Sequence, residues 1–419
     1  MDRSIAPEIS AKISLSTLPI EHVALDNGIK IDFINGGSQE ILKIELIFDA
    51  GSKYQSKSLQ ASLAFDLILE GTKRLSGSEF TEAIDLLGGF LSAETTKDFG
   101  TVTLFVLNKY LKESMDLVIE MLSSPRIEED DFNRLLKNSK NNFLINQEKT
   151  SYLSKQKLNE RLFAGSVYAG VADISSFDNL KYSDIVEFVN SNIVGSAFST
   201  LVSGKVRHGD IETISLCFGS LSVVNQFDKV VSSSPDFKAG HYHIEKDNEQ
   251  CSLSIGKIMP SKNHPDTHKI SFVNTILGGY FGSRLMQNIR EDKGWTYGVS
   301  SSVFSFEDIA SLMIGADVLK DKGFETIEEI KKEIIKLQTE LVTDKELILL
   351  RNYLKGKLLK GFDGAFDQAD RFFTINTFGL TWSFYDDYIS TVETITAEEV
   401  KAIAIKYFSF DELVIVTAG

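Results

Sequence analysis

Residues 278–303 carry the most distinctive local pattern of the chain and read GGYFGSRLMQNIREDKGWTYGVSSSV. The paired residues Gly278 and Gly279 predict the end of a preceding helix, because glycine is unfavourable in helix interiors and common just after them. Helical spacing resumes from Ser283 to Ile289, and Gly294 separates it from a strand-like run of small residues that begins at Val299. The segment therefore predicts a helix end, a second helix and a strand in close succession.

The same order of elements occurs in the first half of the chain. There a strand over residues 41–49 precedes a helix ending at Gly71, a second helix over 78–87 stops at Gly88, and another strand begins at Phe99. In the second half a strand over 251–256 precedes the helix 268–277, and a strand over 309–316 follows the segment quoted above. The halves close on the similar strands 198–204 and 413–419, whose ends lie about 215 residues apart. Because this period is far too long for a solenoid, the sequence predicts two copies of one domain.

The predicted fold class is therefore α+β, with two similar domains that form a clam-like cavity. Each domain is expected to be a mostly antiparallel sheet with helices packed on one face. The predicted ranges are 10–225 for the first domain, 226–235 for a linker and 236–419 for the second domain. The linker assignment depends on the small, polar, proline-terminated segment VVSSSPD at residues 230–236.

Length and composition are those of a globular protein with more than one domain. A chain of 419 residues exceeds the roughly 250–300 residues at which a single core stops growing. A net charge of −15 argues against nucleic acid or an anionic membrane as a partner. The sequence has neither a secretory signal pattern nor an apolar run long enough to span a bilayer. Cys217 and Cys251 are too few to cross-link the chain, so a reducing, cytoplasmic location is expected.

The segments Ile289-Arg290-Glu291 and Gly294-Trp295-Thr296-Tyr297 resemble the C-terminal-domain signature of the pitrilysin/insulinase family of zinc metallopeptidases. In that family the arginine and the tyrosine bind substrate backbone carbonyls beside a zinc ion carried on another domain. The resemblance assigns these roles to Arg290 and Tyr297. It also implies that an extended peptide adds as a strand along Val299, Ser300, Ser301 and Ser302.

Peptide hydrolysis needs hydrogen-bond donors of the kind that Arg290 and Tyr297 carry. Negative charge develops on the scissile carbonyl oxygen, and a positioned phenol or guanidinium can stabilise it. The alternative is that Arg290 pairs with the neighbouring Glu291 or Asp292 while Tyr297 only packs, since most surface charges are simply solvated.

The catalytic motif of the family, His-x-x-Glu-His on a helix of the first domain, is missing. Counting back from Gly71 and Thr72, with which active relatives also end this helix, places Ser62, Phe65 and Asp66 at the degenerate metal-motif positions. A seryl hydroxyl is a poor zinc ligand, and a phenyl ring can neither accept a proton nor orient a water. No histidine occurs between residues 23 and 207, so no shift of register restores the motif. The sequence thus predicts that this chain binds no metal.

The six histidines do not offer an obvious replacement site. His241 and His243 alternate along a predicted strand and should face the same way. His264 and His268 are spaced by four residues, but Pro265 makes His264 a cap residue rather than a helical one. Surface histidines with no metal are the simpler interpretation.

The preferred prediction is a non-catalytic, substrate-binding subunit of a heterodimeric zinc metallopeptidase, similar to those of the mitochondrial processing peptidase type. Such a subunit binds no cofactor itself and supplies Arg290 and Tyr297 to a zinc-bearing, pitrilysin-like partner, so it should be inert alone. The expected partners are that subunit and an extended peptide, with no nucleic acid and no membrane, and the isolated chain could form a homodimer. A different class of function is a structural scaffold that resembles core subunits of respiratory complexes, and an autonomous peptidase with another kind of site is a third.

Overall fold

A computed structural model of the chain describes residues 13–224, 230 and 234–419. The predicted linker 226–235 falls mostly outside the described residues, as do residues 10–12 at the predicted start of the first domain. The first half forms a six-stranded sheet with the strand order β1-β2-β6-β3-β5-β4. Its strands are β1 (Ile20–Ala24), β2 (Lys30–Asn35), β3 (Ile41–Phe48), β4 (Phe90–Thr95), β5 (Gly100–Leu107) and β6 (Ser199–Gly204).

The second half forms a five-stranded sheet with the strand order β7-β11-β8-β10-β9. Its strands are β7 (Gly240–Ile244), β8 (Gln250–Met259), β9 (Thr296–Ser305), β10 (Ala310–Leu319) and β11 (Val414–Ala418). In each sheet the closing strand runs parallel to one early strand, β6 to β2 and β11 to β7, and the other pairs are antiparallel. Apart from β1, the two sheets have the same topology, so the predicted α+β class with two similar domains is confirmed.

Helices pack on these sheets in the order that the repeat predicts. The first half contains α1 (Gln60–Ile68), α2 (Gly77–Leu86), α3 (Leu111–Ser123), α4 (Glu129–Gln147), α5 (Thr150–Leu162), α6 (Ile174–Asn179), α7 (Tyr182–Asn192) and α8 (His208–Gly219). The second half contains α9 (Thr267–Gly278), α10 (Gly323–Thr339), α11 (Asp344–Lys360), α12 (Ala365–Thr377), α13 (Ser383–Thr394) and α14 (Ala397–Tyr407).

One helix from each half crosses to the sheet of the other half. One face of the second sheet is covered by α5, where the hydroxyls of Ser154 and Ser254 lie 2.9 Å apart and Leu158 and Val414 belong to the same cluster of buried residues. On the first sheet, α12 covers the corresponding face, and its Ala369 joins a cluster of buried residues that includes Ile34 and Leu201. Burial of apolar side chains in both places holds the two halves together.

The segment predicted as a helix from Ser283 to Ile289 differs in detail from that expectation. Residues Met286–Asp292 form a π-helical turn, and it ends with the Gly294 amide donating to the Arg290 carbonyl. Gly294 adopts a φ of 66°, which glycine reaches without strain, and the chain can therefore turn directly into β9. Wide turns of this kind often accompany functional sites.

Candidate functional site

Tyr297 lies at the start of β9, where the ladder with β10 contains a bulge. Tyr297 and Gly298 together oppose the single residue Asp317, and the pairing is regular beyond them. The Thr296 hydroxyl donates to the Asp317 carbonyl at 2.6 Å and accepts from the Gly298 amide at 3.1 Å, which fixes the bulge. A bulge changes the direction of a side chain, and Tyr297 is 94% exposed. The alternative that this tyrosine only packs therefore does not hold in this structure.

Arg290 lies on the π-helical turn just before β9. Its guanidinium stacks over the ring of Phe281, 4.5 Å from the ring centroid, and its Nη1 atom lies 3.3 Å from a carboxylate oxygen of Glu291. This ion pair is the one named by the alternative interpretation of the sequence. The same Nη1 atom is buried and has no hydrogen-bond partner of good geometry among the described residues, so the pair with Glu291 leaves donor capacity unused.

The residues assigned to peptide binding along β9 differ in orientation. Ser300 is exposed and Ser302 half-buried, whereas Val299 and Ser301 are buried. The Ser301 hydroxyl donates to the side chain of Asn274, so it holds the strand on α9 and is not directed at a ligand. Since β9 is the last strand of its sheet, its outer edge has no strand partner in the described part of the chain, but the Val299 amide donates to the sulfur of Met286 and the Ser301 carbonyl accepts from the side chain of Asn274. Any peptide added here would be recognised through main-chain hydrogen bonds.

A cavity of about 580 Å³ lies between the two halves, close to the far end of β9. Strand geometry puts Tyr297 about 20 Å along β9 from Val303, the first residue of this strand in the cavity wall. Neither Arg290 nor Tyr297 belongs to that wall. Its lining includes Glu45, Glu94, Asp98 and Phe99 from the first half, and Lys262, Val303, Phe304, Phe306, Phe373 and Phe378 from the second.

Ser62, Phe65 and Asp66, the residues at the degenerate metal-motif positions, all lie on α1 but in different environments. Phe65 is buried, its ring lies 5.8 Å from that of Phe48, and a β-carbon added to Gly100 would lie within 2 Å of it. Ser62 is exposed and donates to the Leu59 carbonyl. Surrounding protein, together with the charge of Glu70, raises the pKa of the Asp66 carboxyl. The position of the general base has thus become part of the hydrophobic core.

These residues do not fit a zinc ion. Within residues 13–224 and 234–419, no group of three or more histidine, cysteine or acidic side chains could hold a metal ion. His241 and His243 do face the same way, but both contact the hydroxyl of Thr417 at 3.0 Å.

A buried polar cluster joins the two halves, and no local sequence pattern indicates it. The ammonium of Lys53 lies 2.9 Å from Asp98 and 2.5 Å from Glu307, and both side chains are almost fully buried. The phenol of Tyr168 donates to Asp98 and also lies 3.2 Å from Asp308. Burial alone would lower the pKa of Lys53, but its hydrogen bonds to Glu307 and Asp98 outweigh this effect and raise it. Since Glu307 and Asp308 form the turn between β9 and β10, the cluster fixes this hairpin against the first half.

Two other sequence-based expectations can be compared with the structure. Cys217 and Cys251 are buried and unpaired. Within the described residues, no helix is both long and apolar enough to cross a membrane.

Comparison with known protein families gives matches on both halves. Residues 34–168 match the family model described as insulinase (peptidase family M16), and residues 179–354 match the one described as peptidase M16 inactive domain. The chain is 22% identical over 405 residues to an uncharacterized zinc protease, YmxG, of Bacillus subtilis, covering 94% of this chain and 96% of that one. It is 24% identical over 343 residues to an uncharacterized zinc protease of Rickettsia felis, covering 80% and 82% of the two chains.

Solved structures share the fold. A peptidase M16 inactive domain from Pseudomonas fluorescens superposes with a TM-score of 0.87 at 23% identity, covering 96% of this chain and 98% of that one. A protease from Helicobacter pylori superposes with a TM-score of 0.84 at 18% identity, covering 96% and 100% of the two chains.

Proposed function

The chain belongs to the M16 (insulinase) peptidase family, and from this premise we propose that it is a non-catalytic, substrate-binding subunit of a heterodimeric zinc metallopeptidase. In this proposal a related partner subunit carries the zinc ion and its His-x-x-Glu-His helix. This chain contributes Arg290 and Tyr297 to the partner's active site. The observation that carries the proposal is the contrast between a motif position filled by the buried ring of Phe65 and a Tyr297 that is almost fully exposed.

The exposed position of Tyr297 suits action on a partner's substrate. A phenol that donates to an oxyanion must reach the substrate carbonyl within about 2.7–3.1 Å. Tyr297 extends from a bulge at the strand end and is 94% exposed, so a second subunit can approach it without any rearrangement of the core. The phenol would stabilise the negative charge that develops during hydrolysis.

Arg290 is proposed to hold a backbone carbonyl of the same peptide. Its pair with Glu291 is partly exposed, with the side chains 32% and 45% accessible, and such pairs contribute little to stability. A substrate carbonyl could therefore use the guanidinium at low cost. The ring of Phe281 beneath it keeps the guanidinium plane in place.

The partner's zinc would supply the activated water and polarise the carbonyl. The peptide would bind as an additional strand along the outer edge of β9, where the Met286 sulfur already accepts from the Val299 amide and the Asn274 side chain donates to the Ser301 carbonyl, so these two bonds would be exchanged for bonds to the peptide. Main-chain pairing of this kind is tolerant of sequence.

A reconstitution experiment tests this function. The chain is mixed with a family member from the same genome that carries His-x-x-Glu-His, and hydrolysis of a quenched fluorescent peptide is followed. We expect no turnover by this chain alone and strongly increased turnover when both subunits are present. Equal turnover by the zinc-bearing subunit with and without this chain would contradict the proposal.

A scaffold without a role in proteolysis is the second candidate, and the Arg290–Glu291 ion pair is the observation that favours it. A scaffold would still bind the partner and raise its stability. It would leave the catalytic rate unchanged when Arg290 or Tyr297 is replaced.

A further inference from the structure

A second, smaller cavity of about 240 Å³ lies in the second half and adjoins the cavity between the halves. The two cavities share Lys262, Val303, Ser305 and Thr374 in their walls, so they lie side by side. The smaller one is below the 300–1,000 Å³ typical of sites that enclose a whole ligand. It is sized for one side chain or one chain end of a longer molecule.

The lining of this smaller cavity is basic. Lys262, Lys357 and Arg371 all border it, and no aspartate or glutamate does. Within the described residues, neither Lys262 nor Arg371 has a carboxylate partner at ion-pair distance. Such a group of cations is unexpected in a protein with a net charge of −15.

Aromatic rings hold these cations in place of counter-ions. The ammonium of Lys262 lies 5.2 Å from the ring centre of Phe378 and 5.7 Å from that of Phe384. The guanidinium of Arg371 lies 5.8 Å from the ring centre of Tyr385. Desolvation, together with the charge of Arg371, lowers the pKa of Lys262 to about 8. A partly buried cation with no anion is costly, and a bound anion would relieve that cost.

The first half contributes three carboxylates and one lysine, Lys97, to the wall of the larger cavity. Glu45 and Glu94 line it from the first half, and one carboxylate oxygen of Glu45 is buried with no hydrogen-bond partner. The second half contributes phenylalanines to the same cavity, including Phe304, Phe306 and Phe373. An apolar cavity with carboxylates on its first-half side and a basic pocket next to it suits a peptide segment lying in one direction.

We propose that the pocket formed by Lys262 and Arg371 binds a carboxylate of an extended peptide that occupies the adjoining cavity. The proposal rests on the peptide-binding function inferred above and extends it to a specific chemical group. The carboxylate comes either from the C-terminus of the peptide or from an acidic side chain. The guanidinium of Arg371 offers paired donors to it, Lys262 adds a point charge, and hydroxyls of Ser305 and Thr374 complete the lining.

Binding of three matched peptides to the isolated full chain tests this proposal. The probes are N-acetylated hexapeptides of alanine and phenylalanine with a free C-terminus, with a C-terminal amide, and with a C-terminal amide after a final glutamate. Affinity is measured by isothermal titration calorimetry. A charge-assisted hydrogen bond predicts that the free acid binds about 10-fold or more tightly than the plain amide. The glutamate amide distinguishes the two sources, since it matches the free acid only if a side-chain carboxylate is accepted.

Variants of Lys262 and Arg371 test whether the preference for the free acid over the amide arises in this pocket. Lys262→Met should remove most of the difference between acid and amide, and Arg371→Lys should reduce it without removing charge. Lys109→Met is the matched control, because Lys109 also lies over an aromatic ring, that of Tyr110, but borders neither cavity. Thermal melting of each variant verifies that it is folded.

The pH dependence gives an independent readout. Lys262 loses its charge as the pH rises through about 8, so affinity for the free acid should fall between about pH 7 and pH 9. The other ionisable side chains that line this pocket are His268, Lys357, Arg371, Tyr385 and Tyr388. Burial lowers the pKa of His268 to about 4, raises that of Tyr388 to about 12 and also raises that of Tyr385, so these three stay in one state over this range. Lys262→Arg should bind with no such pH dependence.

The possible results distinguish failure of the carboxylate pocket from failure of peptide binding itself. Equal affinity for acid and amide, or a preference that survives Lys262→Met, overturns the carboxylate pocket and leaves peptide binding intact. Failure of all three peptides to bind overturns peptide binding by this chain, and the pocket with it.

Discussion

Replacing Tyr297 with phenylalanine is expected to lower peptide turnover by the reconstituted two-subunit enzyme about 10²–10³-fold. The substitution removes only a hydroxyl, and loss of one oxyanion donor costs about 2.7–4 kcal/mol of transition-state stabilisation. Because Tyr297 is 94% exposed and its side chain is not part of the core, folding and partner association should be nearly unchanged. The measurement is kcat/KM for a fluorogenic peptide, with complex formation followed separately.

The matched control is Tyr353→Phe, since Tyr353 is also exposed but lies on α11, where its ring stacks on that of Tyr280. This variant should keep full turnover. Arg290→Ala should raise KM and lower kcat/KM. If Tyr297→Phe and Arg290→Ala complexes both turn over at the original rate, the chain acts only as a scaffold.

Replacing Lys53 with methionine should give the largest loss of stability expected for a single substitution outside the apolar core. Lys53 neutralises Asp98 and Glu307 in a nearly water-free site between the halves. Removal of one partner of a buried ion pair leaves the other charge uncompensated and costs about 3–5 kcal/mol. The free energy of unfolding, measured by urea denaturation, should decrease by that amount.

Lys140→Met provides the comparison, because Lys140 pairs with Asp178 on the surface, with side chains 35% and 64% accessible. Loss of such a surface pair should cost less than about 1 kcal/mol. Equal effects of the two substitutions would show that the cluster between the halves does not hold them together.

The architecture could be predicted because hydrophobic periodicity and glycine positions repeat in the two halves. The glycines at positions 71, 88, 278 and 294 predict the ends of helices. In the structure a helix or helical turn ends within three residues of each of them. The sequence pattern does not indicate helix α8 or strand β4, which is short, lies at a sheet edge and has only Leu91 and Ala93 packed on the core. The exchange of α5 and α12 between the halves could not be predicted either, because it depends on contacts between residues that are far apart in sequence.

The candidate site was predictable only in part, for a similar reason. A local motif singled out Arg290 and Tyr297, and the lack of histidine between residues 23 and 207 excluded the motif's zinc ligands. The exposure of Tyr297 depends on a bulge opposite Asp317, for which Gly298 was the only sequence signal. The burial of Ser301 and the cluster around Lys53 depend on neighbours from distant segments, and no local pattern indicates them.

Zinc content is the most direct test of the claim that this chain is a non-catalytic subunit. The isolated chain and the reconstituted complex are dialysed against trace zinc and analysed for bound metal. We expect no stoichiometric zinc and no peptide hydrolysis for the isolated chain, and one zinc ion per two-subunit complex. One tightly bound zinc ion per isolated chain would contradict it.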